Sequence, residues 1–377
     1  MKKSIVACLP IFVTTGAFAQ SSVTLYGLID EGIGFTNNSG GHQAWQMQSG
    51  WVAGDRWGIK GREDLGGGTR AVFTLESGFD LNSGSLGQAH RMFGRQAFVG
   101  LHDDRLGTLT LGRQYDSVVD YLAPLTANGG WAGWPFAHPY DNDNTDDSFR
   151  LNNTLKYSSV EYDGVRFGGA YAFGNQAGGF SSNRAYSLGA SYTGSALSAA
   201  IAFLQESNPG ASANGALSAD DTNFVAQRQR VWGGGVNYTW QAATVGFVYT
   251  HTSLDSPRAS VYFGALPAGV SSIKFDNFEL NARYQFAPTL WALAMYTFTE
   301  GRANTAAGES KPKWHQGGLM VDYLLSKRTD VYVQAVYQHV TGGSSINVFN
   351  TAYISGAAGL SSSKSQFYAR LGIKHTF

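Results

Sequence analysis

Apolar and polar residues alternate along most of the chain. Trp57 and Ile59, for example, alternate with Arg56 and Lys60. A period of two is typical of a β-strand, because successive side chains of a strand point to opposite faces. Sixteen stretches fit this pattern, among them a second strand predicted at residues 44–62.

The connections between these strands differ in length in a regular way. Short turns such as residues 64–68 (DLGGG) and 194–195 (GS) alternate with long polar loops at 117–149, 206–226 and 341–363. Every second connection is therefore long. This regularity predicts antiparallel strands with all the long loops at one end of the structure and the turns at the other.

Two all-β architectures compete to explain the alternation. In a soluble sandwich or barrel the apolar face is buried, and nothing requires every second connection to be long. In a transmembrane barrel the apolar face meets lipid, the strands run about ten residues, and aromatic residues gather near strand ends. Tyr238, Trp240, Tyr284 and Phe286 follow the second description. We therefore predict an all-β fold, a closed transmembrane antiparallel β-barrel of sixteen strands.

The two ends of the chain support this interpretation. A basic start, an apolar run over 5–18 and the Ala17-Phe18-Ala19 sequence predict a signal peptide at 1–19, followed by a barrel domain at 20–377. The last strand keeps its alternation to Phe377, and we expect it to pair with the first strand and close the barrel. The chain's one cysteine, Cys8, lies in the leader, so we expect neither disulfides nor thiolate metal sites.

Composition and motifs exclude several functional classes. The 27 basic and 27 acidic residues balance, so no basic field is available to attract nucleic acid. No glycine-rich phosphate loop lies between a strand and a helix, and we predict no cofactor. His375 has no evident serine and orienting partner, so we predict that the protein is not an enzyme.

Several charged residues fall on the inner face by alternation. Arg56 lies on the charged face of the second strand. Arg95 is the first residue on a strand face whose other side chains are small. Arg150 lies on the same strand face as Lys156. The same alternation places Glu76 on the inner face. Arg70, Arg113 and Lys60 also point inward, although an ordinary position on a wet wall is the competing interpretation for these three.

Long motifs in a fixed order carry a resemblance to a known family. They include SSVTLYGLID, DRWGIKGREDLGGGTRAVFTLESGF, GRQAFVGL, GTLTLGRQYD, NNTLKYSS and the terminal ARLGIKHTF. With them the chain resembles the trimeric sixteen-stranded general porins of the Gram-negative outer membrane, in particular the neisserial and beta-proteobacterial branch. The resemblance implies a homotrimer of water-filled barrels in outer-membrane lipid and lipopolysaccharide. It also implies that the third long loop folds inward and narrows each barrel.

The resemblance further assigns roles at the constriction. Arg56, Arg95 and Arg150 match a basic ladder, Glu76 resembles an acidic constriction position, and we include Arg113 as a candidate from its parity.

Acidic residues of the third long loop are candidates for the opposite side of the pore. The loop tail DNDNTDDSFR contains Asp141, Asp143, Asp146 and Asp147, and we take the first three as constriction candidates. A solvated acidic loop at the trimer rim is the alternative, because the loop reads GGWAGWPFAHPY where the enteric branch has a Pro-Glu-Phe-Gly-Gly signature. Asp141, Asp143 and Thr145 also have the spacing of a calcium loop, but the glycine and glutamate of that template are missing.

These observations lead to an expected function. We predict passive diffusion of small hydrophilic solutes and ions across the outer membrane, with a mild preference for anions because three arginines lie on one wall. A solute-specific channel is one alternative, to which Trp131 and Trp134 point as an aromatic path. A plugged surface receptor or adhesin barrel is another.

Overall fold

Strands make up most of the computed structural model, which describes residues 21–377. The predicted signal peptide at 1–19 lies outside these residues. The barrel strands are β1 Ser22–Ser39, β2 in two segments His42–Ser49 and Arg56–Gly66, β3 Thr69–Gly78, β4 Gln96–Asp103, β5 Gly107–Gln114, β6 Leu151–Ser158, β7 Val165–Ala172, β8 Ala185–Thr193, β9 Leu197–Ser207, β10 Arg228–Trp240, β11 Ala243–Asp255, β12 Ser272–Ala287, β13 Leu290–Thr305, β14 Lys313–Leu324, β15 Thr329–Thr341 and β16 Ser365–Thr376.

Each strand pairs antiparallel with its neighbours in sequence, and the first strand pairs with the last. In that closing pair Leu28 lies opposite Thr376 and Thr36 lies opposite Tyr368. The backbone N–H of Phe377 also donates to the carbonyl oxygen of Gly27 at 3.0 Å. The prediction of a closed sixteen-stranded antiparallel barrel is confirmed, and the terminal residue takes part in its closure.

The second strand differs from the prediction of one continuous strand at 44–62. Its two segments are separated by residues 50–55, which we call the β2 insert. Asp30 holds this insert, because its carboxylate accepts hydrogen bonds from the backbone N–H groups of Val52 at 2.6 Å and Ala53 at 3.2 Å. Gly50 begins the insert with a positive φ of 79°, a conformation that glycine adopts without steric cost.

The two faces of the barrel wall differ in polarity. Large apolar side chains are exposed on the outside, including Leu25 at 63% and Leu371 at 62% of their full accessible surface. Residues of opposite parity, such as Asp30 and Arg370, are buried inside and paired at 3.2 Å. An apolar exterior around a charged interior is the arrangement expected of a barrel that faces lipid.

Long loops and short turns lie at opposite ends of the barrel. Loops 5 and 6, at 208–227 and 256–271, carry the two-residue strands Phe224–Val225, Ala259–Ser260 and Gly264–Ala265 of a small separate sheet, and Gly308–Ser310 extends the β13 hairpin. None of the helical turns within residues 21–377 has the length and apolarity needed to cross a membrane. These turns are Gly87–His90, Val118–Leu122, Ala123–Leu125, Asn128–Ala132, Trp134–Phe136, Pro139–Asp141 and Asn347–Asn350.

Candidate pore constriction

Loop 3, between β5 and β6 at 115–150, lies inside the barrel. It crosses to the inner face of β11–β15, which we call the far wall. Side-chain amides of the far wall bind loop 3 carbonyl groups: Gln334 Nε2 donates to Ala132 O at 2.6 Å, and Gln316 Nε2 donates to Ala137 O at 3.1 Å. These bonds satisfy backbone groups that the irregular loop leaves unpaired. The loop is therefore fixed to one side of the lumen.

An aromatic cluster fixes the middle of loop 3 at the long-loop end. Tyr140 is fully buried and has a positive φ of 62°. Its ring lies 5.2 Å from Phe263 of loop 6, centroid to centroid. It also lies 5.7 Å from Phe349 and 5.9 Å from Tyr353 of loop 8, which joins β15 to β16 at 342–364. Such contacts stabilise beyond the area they bury. The cluster supports a backbone conformation that is unfavourable for tyrosine.

A buried histidine joins loop 3 to the far wall. His138 Nδ1 lies 2.7 Å from Asp143 Oδ2, and its Nε2 lies 3.2 Å from Glu279 Oε2 on β12. Burial lowers the pKa of His138, but the charges and hydrogen bonds of Asp143 and Glu279 outweigh it and raise the pKa to about 10. Thr250 also donates its hydroxyl to Asp143 at 2.5 Å. At neutral pH a buried imidazolium therefore bridges two carboxylates.

The three predicted loop 3 aspartates have different surroundings. Asp143 is fully buried in the bridge just described, and Asp141 is fully buried beside it. Burial and the charge of Asp143 raise the pKa of Asp141 to about 7. Asp146 lines the lumen cavity, and burial together with repulsion from Asp141 and Asp147 raises its pKa well above the usual value. Of the three, the structure brings Asp146 alone to the cavity.

Three arginines lie together on the opposite side, and we call Arg56, Arg95 and Arg150 the arginine cluster. Arg56 begins the second segment of β2, while Arg95 and Arg150 directly precede β4 and β6. Arg95 Nε donates to Glu76 Oε1 at 3.0 Å, and Arg56 Nε donates to Gly54 O at 2.8 Å. Arg56, Arg95, Arg150 and Glu76, four of the predicted residues, are thus neighbours.

Asp147 connects the arginines. It belongs to the acidic loop tail noted from the sequence but was not among the predicted constriction residues. Its Oδ2 accepts from Arg95 at 3.1 Å, and its Oδ1 accepts from Arg150 at 2.7 Å. Burial raises the pKa of Asp147, but the charges of Arg150, Arg95 and Arg56 outweigh that effect and lower it overall. Asp147 lies three residues before Arg150 in the sequence, and this spacing was the signal that could have identified it. Two carboxylates, Glu76 and Asp147, therefore face three guanidinium groups.

The remaining predicted basic residues lie elsewhere. Arg113 is buried and makes a bidentate pair with Asp221 of loop 5, at 2.6 Å and 3.0 Å. Its Nη1 also donates to the backbone carbonyl oxygen of Arg150 at 3.5 Å, but Arg113 does not line the cavity between the arginine cluster and loop 3. Arg70 pairs with Asp104 at 2.6 Å near the short turns. Lys60 lies 5.0 Å from the ring centre of Tyr26.

A cavity of about 540 Å³ lies between the arginine cluster and loop 3. Besides the arginines, its lining includes Trp51 of the β2 insert and Trp134 of loop 3, whose rings meet edge to face with centroids 4.9 Å apart. Trp51 was missed from sequence because the insert was predicted to be strand. A second cavity of about 930 Å³ lies toward the short turns, and Pro124 lines both. The two cavities therefore adjoin at loop 3.

The calcium-loop spacing does not produce a clustered site. Asp143 Oδ1 accepts the hydroxyl hydrogen of Thr145 at 3.0 Å, and Asp141 Oδ1 accepts the backbone N–H of Asp146 at 3.1 Å. Within residues 21–377 no group of three or more histidine, cysteine, aspartate or glutamate side chains is arranged to hold a metal ion.

Comparison with known proteins gives a consistent set of relatives. The sequence model of the Gram-negative porin family matches residues 5–343. An outer membrane porin protein of Bordetella pertussis is 29% identical, covering 89% of this chain and 94% of that protein. Major outer membrane protein P.IB of Neisseria meningitidis serogroup B is 30% identical over 51% of this chain and 55% of that protein. Among solved structures, an anion-selective porin from Comamonas acidovorans has a TM-score of 0.73 at 23% identity, covering 95% of this chain and 100% of that one.

Proposed function

Because the chain belongs to the Gram-negative porin family and forms a β-barrel channel in the outer membrane, we propose that this channel passes small hydrophilic anions in preference to cations. Movement is passive diffusion down a gradient. Loop 3 sets the width of the path, and the arginine cluster sets its charge. Porins are channels, and we propose that this protein has no enzymatic activity.

The observation that carries the proposal is the charge balance at the cavity. Arg56, Arg95 and Arg150 face Glu76 and Asp147, which leaves one excess positive charge. Burial and repulsion from Asp141 and Asp147 raise the pKa of Asp146, which opposes the ionisation of this third carboxyl group. Charged groups around a narrow aqueous path select ions of the opposite sign. The name of the Comamonas acidovorans relative, an anion-selective porin, agrees with this direction.

The proposed constriction set follows from these contacts. It consists of the arginine cluster, Glu76, Asp146 and Asp147. Asp141, Asp143 and Arg113 are left out because they neither line the cavity nor make an ion pair with the arginine cluster.

Reversal potentials in planar bilayers test the ion preference. With a tenfold KCl gradient at pH 7, we expect the sign that corresponds to chloride preference. A potential of the opposite sign would contradict the proposal. Failure of the folded protein to conduct at all would favour the receptor or adhesin alternative.

We also propose assembly as a homotrimer, as the family resemblance implies. The outer apolar face would contact the partner subunits and lipid, and the long-loop end would contact lipopolysaccharide. Light scattering of the detergent-solubilised protein tests this assembly. A protein mass of three chains is expected, and a mass of one chain would contradict it.

A further inference from the structure

The cavity at the arginine cluster combines positive charge with an aromatic surface. We propose that it binds planar aromatic monocarboxylates, of which benzoate is the simplest probe, as they pass through the channel. This inference rests on the proposed function, because it names a solute class for the same site. It requires a carboxylate partner, an aromatic partner and enough space between them.

Arg56 is the carboxylate partner. The terminal nitrogens of Arg95 and Arg150 already bind Asp147 and Tyr115. Among residues 21–377, by contrast, Arg56 has one hydrogen bond, from Nε to Gly54 O, and its two terminal nitrogens have no protein acceptor. A guanidinium group binds a carboxylate through two parallel hydrogen bonds. The single excess charge of the site matches a monoanion.

Trp51 and Trp134 are the aromatic partners. Both are partly exposed and line the same cavity as Arg56. Trp51 is held in place, because its indole Nε1 donates to Gly356 O of loop 8 at 2.8 Å. The backbone N–H of Trp134 donates to Trp51 O at 2.8 Å, which joins loop 3 to the β2 insert. Two indole rings on rigid backbone supply a preorganised surface for a flat solute.

The geometry of the β2 insert brings the two partners close together. Trp51 and Gly54 are three positions apart in the sequence, so their Cα atoms are at most about 11 Å apart. Gly54 allows this packing, because a Cβ atom there would lie 2.8 Å from Arg95 Nη1. The cavity of about 540 Å³ falls within the range of about 300–1,000 Å³ of small-molecule sites. A small aromatic acid can therefore contact both partners.

The test compares two acids of similar size that differ in planarity. Benzoate or cyclohexanecarboxylate is added to wild-type channels conducting KCl in a planar bilayer, and the concentration that halves the current is measured. Because stacking on an indole ring adds to simple burial, we expect the value for benzoate to be about fivefold lower. Equal values for the two acids would overturn the proposal.

Variants of Trp134 and Trp131 test whether the difference between the two acids arises at this cavity. Trp134→Leu should abolish the fivefold difference. Trp131→Leu is the matched control, because Trp131 packs on Phe136 at 5.5 Å and does not line the cavity; it should retain the difference. Trp134→Phe keeps a ring and should retain about a twofold difference, which supplies a result if the leucine variant does not form channels. A full difference in Trp134→Leu, or none in Trp134→Phe, would overturn the proposal.

Reversal potentials recorded on the same membranes separate this inference from the proposed function. If the anion preference itself is wrong, the KCl potential of the wild type has the cation sign. If only the aromatic site is wrong, the potential keeps the anion sign and the two acids block equally.

Discussion

The arginine cluster and the far wall both contain ionised side chains, and they differ in what those side chains touch. In the arginine cluster, Arg56 lines the cavity, and its terminal nitrogens have no acceptor among residues 21–377. At the far wall, Asp143 and Glu279 are fully buried against His138. The two regions therefore contain similar numbers of ionised side chains, but these side chains have different effects on ions in the channel. A charge acts on a passing ion when it faces water, whereas a charge sealed in a buried pair mainly holds the loop in place.

The largest expected effect concerns the buried bridge. His138→Gln removes the cation between Asp143 and Glu279. Breaking a buried ion pair by deleting one partner costs about 3–5 kcal/mol. We expect a loss of that size in the free energy of unfolding, measured by denaturant titration in detergent. The control is His42→Gln, an exposed position on β2, and equal effects of the two substitutions would contradict the bridge.

Charge reversal in the arginine cluster should change ion selectivity next most. Arg56→Glu replaces a partly exposed positive charge that lines the cavity, and we expect the anion-to-cation permeability ratio to fall about tenfold. Arg70→Glu makes the same chemical change near the short turns, where Arg70 is paired with Asp104. That control should change the ratio less than about twofold. Similar shifts in both variants would show that position within the channel has no influence.

Alkaline pH should loosen loop 3. The pKa of His138 is raised from 6.5 to about 10, so its stabilising contribution is complete below the unfolded value and is lost as pH rises through about 10. We expect fluctuations of the open-channel current to increase over that range. Glu279→Gln removes one of the two carboxylates that raise this pKa, so the increase should begin at lower pH. An unchanged onset in that variant would contradict the role of Glu279.

The smallest expected change in selectivity distinguishes Asp147 from Asp143. Asp147→Asn removes a carboxylate that faces the cavity, and we expect about a twofold rise in the anion-to-cation permeability ratio. Asp143→Asn changes a residue sealed at the far wall and should leave the ratio unchanged. Reversal potentials of the two variants provide the measurement, and a larger change in Asp143→Asn would reverse the assignment.

How much could be predicted from the sequence depends on whether a residue lies in a strand. Arg56 and Glu76 could be placed on the inner face, because in a strand parity alone decides orientation. Arg113 has the same kind of position, yet its environment is set by Asp221, 108 residues later in loop 5. No periodic pattern carries that information.

Loop 3 and the β2 insert were less predictable for a related reason. His138 and Glu279 meet across 141 residues of sequence, and an irregular loop gives no rule for such a pairing. Residues 50–55 interrupt a stretch whose alternation continues on both sides. Gly50 and Gly54 were the visible signals of a break, since glycine inside a strand often marks a bulge or a close backbone approach.

The electrostatic potential beside the arginine cluster can be measured with a thiol in the cavity. Ser148 lines the cavity next to Asp147, and the mature chain is expected to contain no other cysteine, so Ser148→Cys provides a single reactive thiol. Its reaction rates with negatively and positively charged thiosulfonate reagents are measured relative to a free thiol in solution. Because the arginine cluster has one excess positive charge, we expect the negative reagent to react faster. A faster reaction with the positive reagent would show that the potential at the cavity is not positive.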